Sequence, residues 1–385
     1  MNKKLLVKFE KRFGLEPLYF VESSGRFEII GNHTDHNGGL CVAASCDLEI
    51  YGYLAPSSDN IVRLYSKGYQ EVEFSLDDVT LKKDEIGTST GLVKGVAAYL
   101  IEHGYIVGGF YLMSESTVFR GAGVSSSAAF ESLVGQVFNS LYNNGQISKI
   151  ELAKAGQYSE NYYFDKKSGL LDQSAVCFGN ISFMNFSSLA VPEIKTIGFP
   201  FDDMQFVIVN TGGSHAALSD LYSSIPTDMK SVAQKLGKKV LSETSLDEVE
   251  KIKDKLTEME YLRAKHFFGE NERVLTLVKA LENKDKKSFL KAIKGSFESS
   301  RDNLKNMMVE NCYVGSPLQA CDYAYEFMGD NGACKINGGG FAGSIIACLP
   351  KSQSKAFIKH MSLKYGPQNI KAVNINPYPP LVTKI

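Results

Sequence analysis

The sequence predicts an α+β protein with two domains, in which helices pack on mixed sheets. Length is the first reason, because 385 residues exceed what one hydrophobic core usually organises. The second is that strand-like stretches are grouped at residues 17–75 and helical periods dominate residues 214–308, with both types in between and in the tail. The third is a composition of 44% hydrophobic and 22% charged residues, which is ordinary for a globular protein. We expect an N-terminal domain at 1–195 and a C-terminal domain at 196–385.

The N-terminal half is predicted to open with a short helix, since apolar residues between positions 5 and 13 recur on one face. Residues 17–75 contain stretches rich in Val, Ile, Tyr and Phe, separated by Gly, Asn, Asp and Pro, which is typical of strands. Residues 91–104 form a helical pattern that ends at a glycine. A strand then follows at "GGFYLMSEST", and helices at "SSSAAFESLVGQVFNSLYNN", at about 148–163, and at the start of "SGLLDQSAVCFGN".

The C-terminal half is predicted to be richer in helix. Strands at "ISFMNF" and "MQFVIVNTG" flank the expected boundary, and helical periods dominate residues 214–308. The tail gives a helix at "SPLQACDYAYEFMG" and strands at "ACKING" and "GSIIACLP".

Charge and cysteine content exclude several classes of protein. The net charge is −1, so no basic face for nucleic acid is indicated. The seven cysteines form no CxxC pair and most have apolar neighbours, which favours buried free thiols in a reducing cytoplasm. The opening residues do not resemble a signal peptide, and no apolar run approaches the roughly 18 residues of a membrane span. We expect a cytoplasmic protein with neither a membrane nor a nucleic-acid partner.

Two stretches of the sequence are rich in groups that can bind polar ligands. In "GRFEIIGNHTDHNGG" a predicted strand runs into a polar turn with His33, Asp35 and His36, which lack a fourth ligand at zinc-like spacing. In "RGAGVSSSAAFESL" a loop of small residues leads into a helix whose first N–H groups suit an anion. A glycine turn with a serine N-cap is the simpler alternative for the second stretch, since no Walker GK[ST] follows.

Together these stretches resemble a known kinase family. "GRFEIIGNHTDHNGG" is similar to the sugar-binding signature of galactokinases, and "GAGVSSSAA" resembles the ATP loop of the GHMP kinase superfamily. "CKINGGGFAGSIIAC" resembles the superfamily's C-terminal glycine-rich motif, and weaker likenesses such as "GLLDQ" and "NTGGSHAALSDLY" occur in family order. The resemblance covers about residues 15 to 350. It implies a two-domain GHMP-kinase architecture with the active site in the cleft between the domains.

The resemblance also implies a reaction, in which ATP phosphorylates the anomeric hydroxyl of D-galactose to give galactose 1-phosphate and ADP. It assigns catalysis to Arg26, which would stabilise the transferring phosphoryl group, and to Asp172, which would accept a hydrogen bond or the proton from the hydroxyl. Whether Asp172 is a base or only orients the hydroxyl stays open, because a loose transition state needs little help from a base.

The remaining assignments follow the same motifs. Mg²⁺ would be held by Ser127 and by Glu160, which precedes Asp172 by the family's spacing. The loop that would bind ATP consists of Gly121, Ala122, Gly123, Val124, Ser125, Ser126 and Ser127. The sugar would be bound by Asn32, His33, Asp35, Asp172 and Tyr222, since neutral sugars are recognised by directed hydrogen bonds from fixed groups. We expect a monomer whose partners are small molecules.

One departure keeps the exact sugar open. The family usually has Glu where this chain has Asn32, and that Glu lies near the C6 hydroxyl. An amide offers two donors and one acceptor, which suit a C6 hydroxyl or a C6 carboxylate. A related sugar-1-kinase acting on galacturonate, N-acetylgalactosamine or arabinose is therefore an alternative. A non-catalytic sensor of galactose and ATP is another, and the intact loop, Arg26 and Asp172 argue against it. A mevalonate-type kinase is disfavoured by "HTDHNGG".

Overall fold

The computed structural model describes residues 2–118, 123–188, 191–212 and 218–385. Strands and α-helices occur mostly in runs along the chain, with strands between residues 19 and 75 and helices between residues 219 and 299, as predicted. The strands are β1 (Tyr19–Ile30), β2 (Leu40–Pro56), β3 (Ile61–Ser66), β4 (Val72–Ser75), β5 (Phe110–Ser116), β6 (Ile181–Asn185), β7 (Glu193–Ile197), β8 (Met204–Asn210), β9 (Ala333–Asn337), β10 (Ser344–Pro350), β11 (Ile370–Val373) and β12 (Leu381–Lys384). The helices are α1 (Lys3–Phe13), α2 (Ser89–Glu102), α3 (Ser126–Tyr142), α4 (Lys149–Tyr162), α5 (Leu171–Phe178), α6 (Ser219–Lys235), α7 (Leu246–Lys251), α8 (Glu258–Glu282), α9 (Lys286–Ser299), α10 (Pro317–Met328) and α11 (Lys351–Tyr365).

The larger sheet has the order β12-β1-β2-β5-β3-β4, with β6 paired to β2 and β7 to β6. Its pairs are antiparallel except β3 with β5. Helices α2 to α5 bury their apolar residues against this sheet in one core, which includes Leu112, Val134 and Leu152. Helix α1 packs on the opposite side through Leu5 and Phe9. Successive side chains of a strand point to opposite faces, so the two faces of the sheet are covered by separate groups of side chains.

The smaller sheet has the order β11-β8-β10-β9 and is antiparallel throughout. One face packs on α10 and α11 in a core that contains Phe357 and Met361. The other face joins residues of β1 and of α8 and α9 in a shared core, where the Phe27 and Phe206 rings lie 4.7 Å apart. This shared core ties the two sheets together beside the polar turn that follows β1.

Some elements were not predicted from the sequence. These are β7, the helix α11 and the short strands β11 and β12. Strand β12 returns to the larger sheet and pairs antiparallel with β1, so that Tyr19 faces Lys384. The division at residue 195 stays a prediction. Among the described helices, none has the length and apolar content needed to cross a bilayer.

Candidate active site

Arg26 and Asp172 form an ion pair at the centre of the site. Arg26 lies where β1 departs from regular pairing with β2, at a bulge between Ser24 and Arg26. Bulges re-aim side chains, and here the guanidinium turns towards the first residues of α5. Arg26 Nε donates to Asp172 Oδ1 at 2.6 Å, and Nη2 donates to Oδ2 at 2.7 Å. This two-point contact fixes the carboxylate plane as well as its charge.

The predicted ATP loop reaches the same carboxylate. Ser125 Oγ donates to Asp172 Oδ2 at 2.6 Å, from a backbone with φ of 53°, which a non-glycine residue adopts rarely. Arg26 Nη1 donates to the carbonyl of Gly123 at 2.6 Å, and the backbone N–H of Arg26 donates to the carbonyl of Val124 at 2.9 Å. Ser126 is exposed at the first turn of α3. Gly121 and Ala122 lie outside the described residues.

These contacts keep Asp172 ionised. Burial alone would raise the pKa of its carboxyl group, but the charges of Arg26 and Lys166 and the Ser125 hydroxyl lower the pKa below its usual value. An ionised Asp172 can accept a hydrogen bond or a proton from a substrate hydroxyl. The ion pair itself remains fixed over the whole range of neutral pH.

Ser127 and Glu160 lie one layer deeper, between α3 and α4. Ser127 Oγ donates to Glu160 Oε1, and Lys166 Nζ is 2.6 Å from the same oxygen. Glu160 Oε2 accepts from Gln173 Nε2 at 3.1 Å, and that amide also donates to Glu131. Burial would raise the pKa of Glu160, yet Lys166 and Ser127 hold it below its usual value. Gln173 follows Asp172 directly, so the two pairs form one connected site.

The oxygen donors fit a magnesium ion. Ser127 Oγ and Glu160 Oε1 are hard ligands in contact with each other, beside the helix start where phosphates would lie. Within the described parts of the chain, no group of three or more His, Cys, Asp or Glu side chains is arranged to hold a metal. Mg²⁺ usually takes only one or two protein ligands and completes its shell with water and phosphate oxygens. The residues present therefore suit a metal that arrives with the nucleotide.

Three of the predicted sugar-binding residues are held by successive carbonyls of the C-terminal glycine motif. Asn32 Nδ2 donates to Gly338 at 2.8 Å, His33 Nε2 contacts Gly339 at 2.7 Å, and Tyr222 Oη donates to Gly340 at 2.7 Å. In this arrangement Nε2 of His33 carries the proton. Burial, together with the nearby His36, lowers the pKa of His33 to about 3. Its Nδ1 has no hydrogen-bond partner among the described residues, so it can accept from a ligand hydroxyl.

Asp35 connects the polar turn to the catalytic pair. Its Oδ1 accepts from the backbone N–H of His36 at 3.0 Å, and its Oδ2 accepts from that of Leu171 at 3.4 Å. Leu171 immediately precedes Asp172. A Cβ at Gly169 would lie 1.7 Å from Asp35 Oδ2, so glycine is required for this approach. The structure thus brings the predicted sugar-binding and catalytic residues into one region.

Asn32 has fewer hydrogen-bonding groups available to a ligand than the sequence suggested. Its amide nitrogen donates to Glu28 Oε2 at 3.0 Å as well as to Gly338, so both hydrogens are used. Its Oδ1 accepts from Asn306 Nδ2 at 2.8 Å. What remains for a ligand is one lone pair of the amide oxygen.

Sequence reasoning missed several residues that organise this site. Glu28 pairs with Lys335 at 2.6 Å in the fully buried layer behind Asn32. Asn337, in the C-terminal glycine motif, contacts both of the other motifs. Its Nδ2 donates to the Gly123 carbonyl of the predicted ATP loop, and its Oδ1 accepts from the Glu28 N–H of the sugar signature. Lys335 and Asn337 lie within the motif "CKINGGGFAGSIIAC", so the sequence did offer a reason to consider these two residues. Nothing local pointed to Glu28, Glu131, Lys166 or Asn306.

Comparison with known proteins identifies the family. Two protein-family models match: the galactokinase galactose-binding signature at residues 7–56 and the GHMP kinases N terminal domain at residues 91–180. A galactokinase from Lactobacillus helveticus is 32% identical over 375 residues, which cover 95% of this chain and 94% of the relative. The chain belongs to the galactokinase family. A second galactokinase, from Staphylococcus saprophyticus, is 29% identical over 374 residues and covers 95% and 94%.

Solved structures agree with this membership. The crystal structure of Lactococcus lactis galactokinase complexed with galactose matches with a TM-score of 0.85 and 27% identity, covering 100% of this chain and 99% of that one. The mevalonate kinase of Methanococcus jannaschii shares the fold, with a TM-score of 0.65 and 14% identity over 93% and 98%. The predicted α+β GHMP-kinase fold and the galactokinase resemblance are confirmed. As a member of a galactokinase family, the chain is a phosphotransferase.

Proposed function

We propose that the protein transfers the γ-phosphoryl group of ATP to the anomeric hydroxyl of D-galactose, giving galactose 1-phosphate and ADP. The observation that supports this most is the carboxylate of Asp172. It is contacted by Arg26 from the sugar signature and by Ser125 from the ATP loop. A sugar hydroxyl bound at Asp172 would therefore lie next to a phosphate bound at the start of α3. Phosphoryl transfer requires this juxtaposition, since its catalysis consists mainly of positioning and charge stabilisation.

Each residue has a defined task in this reaction. His33 and Asp35 orient the sugar by hydrogen bonds, and Tyr222 closes the pocket next to the glycine motif. Asp172 holds the anomeric hydroxyl, and Arg26 keeps Asp172 ionised while it faces the developing negative charge. Ser127 and Glu160 would hold Mg²⁺, which supplies charge to the phosphates when bound. The helix start at Ser125 to Ser127 offers N–H groups to the same phosphates.

Asn32 favours a second candidate, a sugar-1-kinase for a related sugar. An amide with both hydrogens engaged gives a weaker anchor than the carboxylate usual in the family. A panel of galactose, galacturonate, N-acetylgalactosamine and arabinose with ATP and Mg²⁺ would separate the candidates by ADP release. Phosphorylation of none of these sugars, with ATP and sugar still bound, would favour the sensor alternative.

Asp172→Asn is the decisive variant. The amide keeps the shape but has one acceptor oxygen instead of two, so it loses the charge and half of the Arg26 contact. We expect turnover to fall by at least about 10², with the Kd for ATP changed less than about threefold. Asp165→Asn is the matched control, because Asp165 is exposed on the neighbouring loop and Asn tolerates its φ of 57°. Equal turnover of the two variants would remove Asp172 from the reaction.

The proposal also covers the cellular compartment and the oligomeric state of the protein. We propose that it acts in the cytoplasm as a monomer, with sugar and ATP as its partners. All seven cysteines are free and six of them are buried, which suits a reducing compartment. Light scattering of the purified protein would test the monomer, and a stable dimer would contradict it.

A further inference from the structure

Lys166 places an ammonium group inside the site, where the sequence motifs assign none. It belongs to the loop between α4 and α5, and its Nζ is 2.6 Å from Glu160 Oε1. Its side chain is 48% exposed, whereas that of Glu160 is fully buried. The lysine therefore reaches from the protein surface down to the oxygen that also accepts from Ser127.

The ammonium group of Lys166 contacts a carboxylate oxygen that would also bind the metal ion. Glu160 Oε1 and Ser127 Oγ are the two oxygens that would hold Mg²⁺. Lys166 now forms an ion pair with the same carboxylate oxygen, at 2.6 Å.

The other cation of the site, Arg26, already has three of its five N–H donors engaged, so two remain for a nucleotide and a second cation would add to them. Arg26 gives Nε and Nη2 to Asp172 and Nη1 to the Gly123 carbonyl. An ammonium has three donors, and Glu160 takes one of those of Lys166. A phosphoryl group in transfer spreads negative charge over its oxygens and needs donors that are not already engaged.

We propose that Lys166 is a nucleotide-binding residue, which neutralises Glu160 in the empty protein and moves onto the terminal phosphates of ATP when it yields Glu160 to Mg²⁺. This inference rests on the proposed kinase function. The side chain is about half exposed, so it has room to make this change. Glu160 stays charge-compensated in both states, which avoids an unpaired buried carboxylate.

The test compares Lys166→Met with Lys167→Met by calorimetry of ATP binding. Lys167 is the adjacent exposed lysine, so both variants lose one positive charge on the same loop. With saturating Mg²⁺, we expect Lys166→Met to weaken ATP binding about tenfold, the scale of one charge-assisted contact, and Lys167→Met to change it less than twofold. In EDTA, where Lys166 stays on Glu160, Lys166→Met should bind ATP within about threefold of the parent, so added Mg²⁺ should strengthen binding less in Lys166→Met than in the parent.

Lys166→Arg separates loss of charge from loss of structure, and it should retain ATP binding in Mg²⁺ within about threefold. Equal weakening by Lys166→Met and Lys167→Met would overturn the inference, as would Mg²⁺ strengthening that is unchanged in Lys166→Met. These results are independent of the acceptor sugar. A parent protein that binds ATP as described but phosphorylates no sugar would contradict the proposed function and leave the role of Lys166 standing.

Discussion

At the scale of single residues, Glu28 and Asn32 determine where the negative charge behind the sugar turn resides. The Glu28 carboxylate accepts from Asn32 and pairs with Lys335, and all three side chains are buried. Burial raises the pKa of Glu28, while Lys335 opposes that rise. The charge is thus placed on the side of Lys335, and a neutral amide faces the region of the sugar.

An exchange of the two residues tests this placement. Glu28→Asn alone leaves Lys335 buried without its carboxylate, which should cost about 3 to 5 kcal/mol of unfolding free energy. Adding Asn32→Glu returns a carboxylate beside the ammonium, and we expect it to recover more than half of that loss. Urea unfolding of both single variants and the double variant gives the interaction energy. Additive single effects would mean that the two positions are not coupled.

Buried pairs such as Glu28 and Lys335 are difficult to predict from a sequence. Arg26, Ser127, Glu160 and Asp172 were found because each stands in a motif with a characteristic spacing. Glu28 looks like an ordinary polar position in a strand, and its partner Lys335 is 307 positions away. A pair of this separation leaves no local pattern, because only folding brings the two strands together.

At the scale of elements, the start of α5 is the junction of the site. Gly169 passes against Asp35, and two residues later the helix presents Leu171 N–H to Asp35 and then Asp172 to Arg26. A small displacement of this helix start would separate the sugar-binding carboxylate from the catalytic one.

Gly169→Ala should produce such a displacement. Its methyl group would overlap Asp35 Oδ2, and relief of that overlap should cost about 1 to 3 kcal/mol of stability. We expect the KM for the sugar to rise at least about tenfold and the KM for ATP to change little. Gly198→Ala is the control, since a Cβ there meets nothing within 4 Å. An unchanged sugar KM in Gly169→Ala would show that Asp35 does not orient the sugar.

Some elements were predicted more closely than others. Helices α3 and α4 bury eleven and six of their residues, and they were predicted close to their observed bounds. Strand β12 has four residues at an edge, and its pairing with β1 is made across nearly the whole chain. Helix α11 carries a weak apolar stripe, with three of its residues buried. Such elements are fixed by tertiary contacts that a local window does not contain.

At the scale of the molecule, two neutral histidines make stability depend on pH. His266 is buried and His33 is half-buried, and loss of hydration lowers the pKa of both, that of His33 to about 3. His36, His266 and Arg263 face His33 and disfavour its charged form further. In the unfolded chain His33 should titrate near 6.5. Its stabilising effect is therefore complete above that pH and is lost progressively as the pH falls towards 3.

His33→Asn should remove this contribution to the pH dependence. Between pH 5.5 and 4, the unfolding free energy of the parent should fall by about 1.4 kcal/mol per pH unit more than that of the variant. His103→Asn, at an exposed position, should match the parent slope. Denaturant unfolding at several pH values measures the difference. Parallel slopes for the parent and His33→Asn would mean that His33 is charged in the folded protein.

The antiparallel contact of β1 with β12 has a consequence for biosynthesis. Glu22 leaves the ribosome long before Leu381, its partner across the sheet. At about 5 to 20 residues per second, the delay is on the order of 20 to 70 seconds. During translation the outer edge of β1 has unpaired N–H and C=O groups, so a nascent chain is open to strand pairing with a neighbour on the same polysome. Chaperone capture at that stage would shield this edge until its own strand arrives.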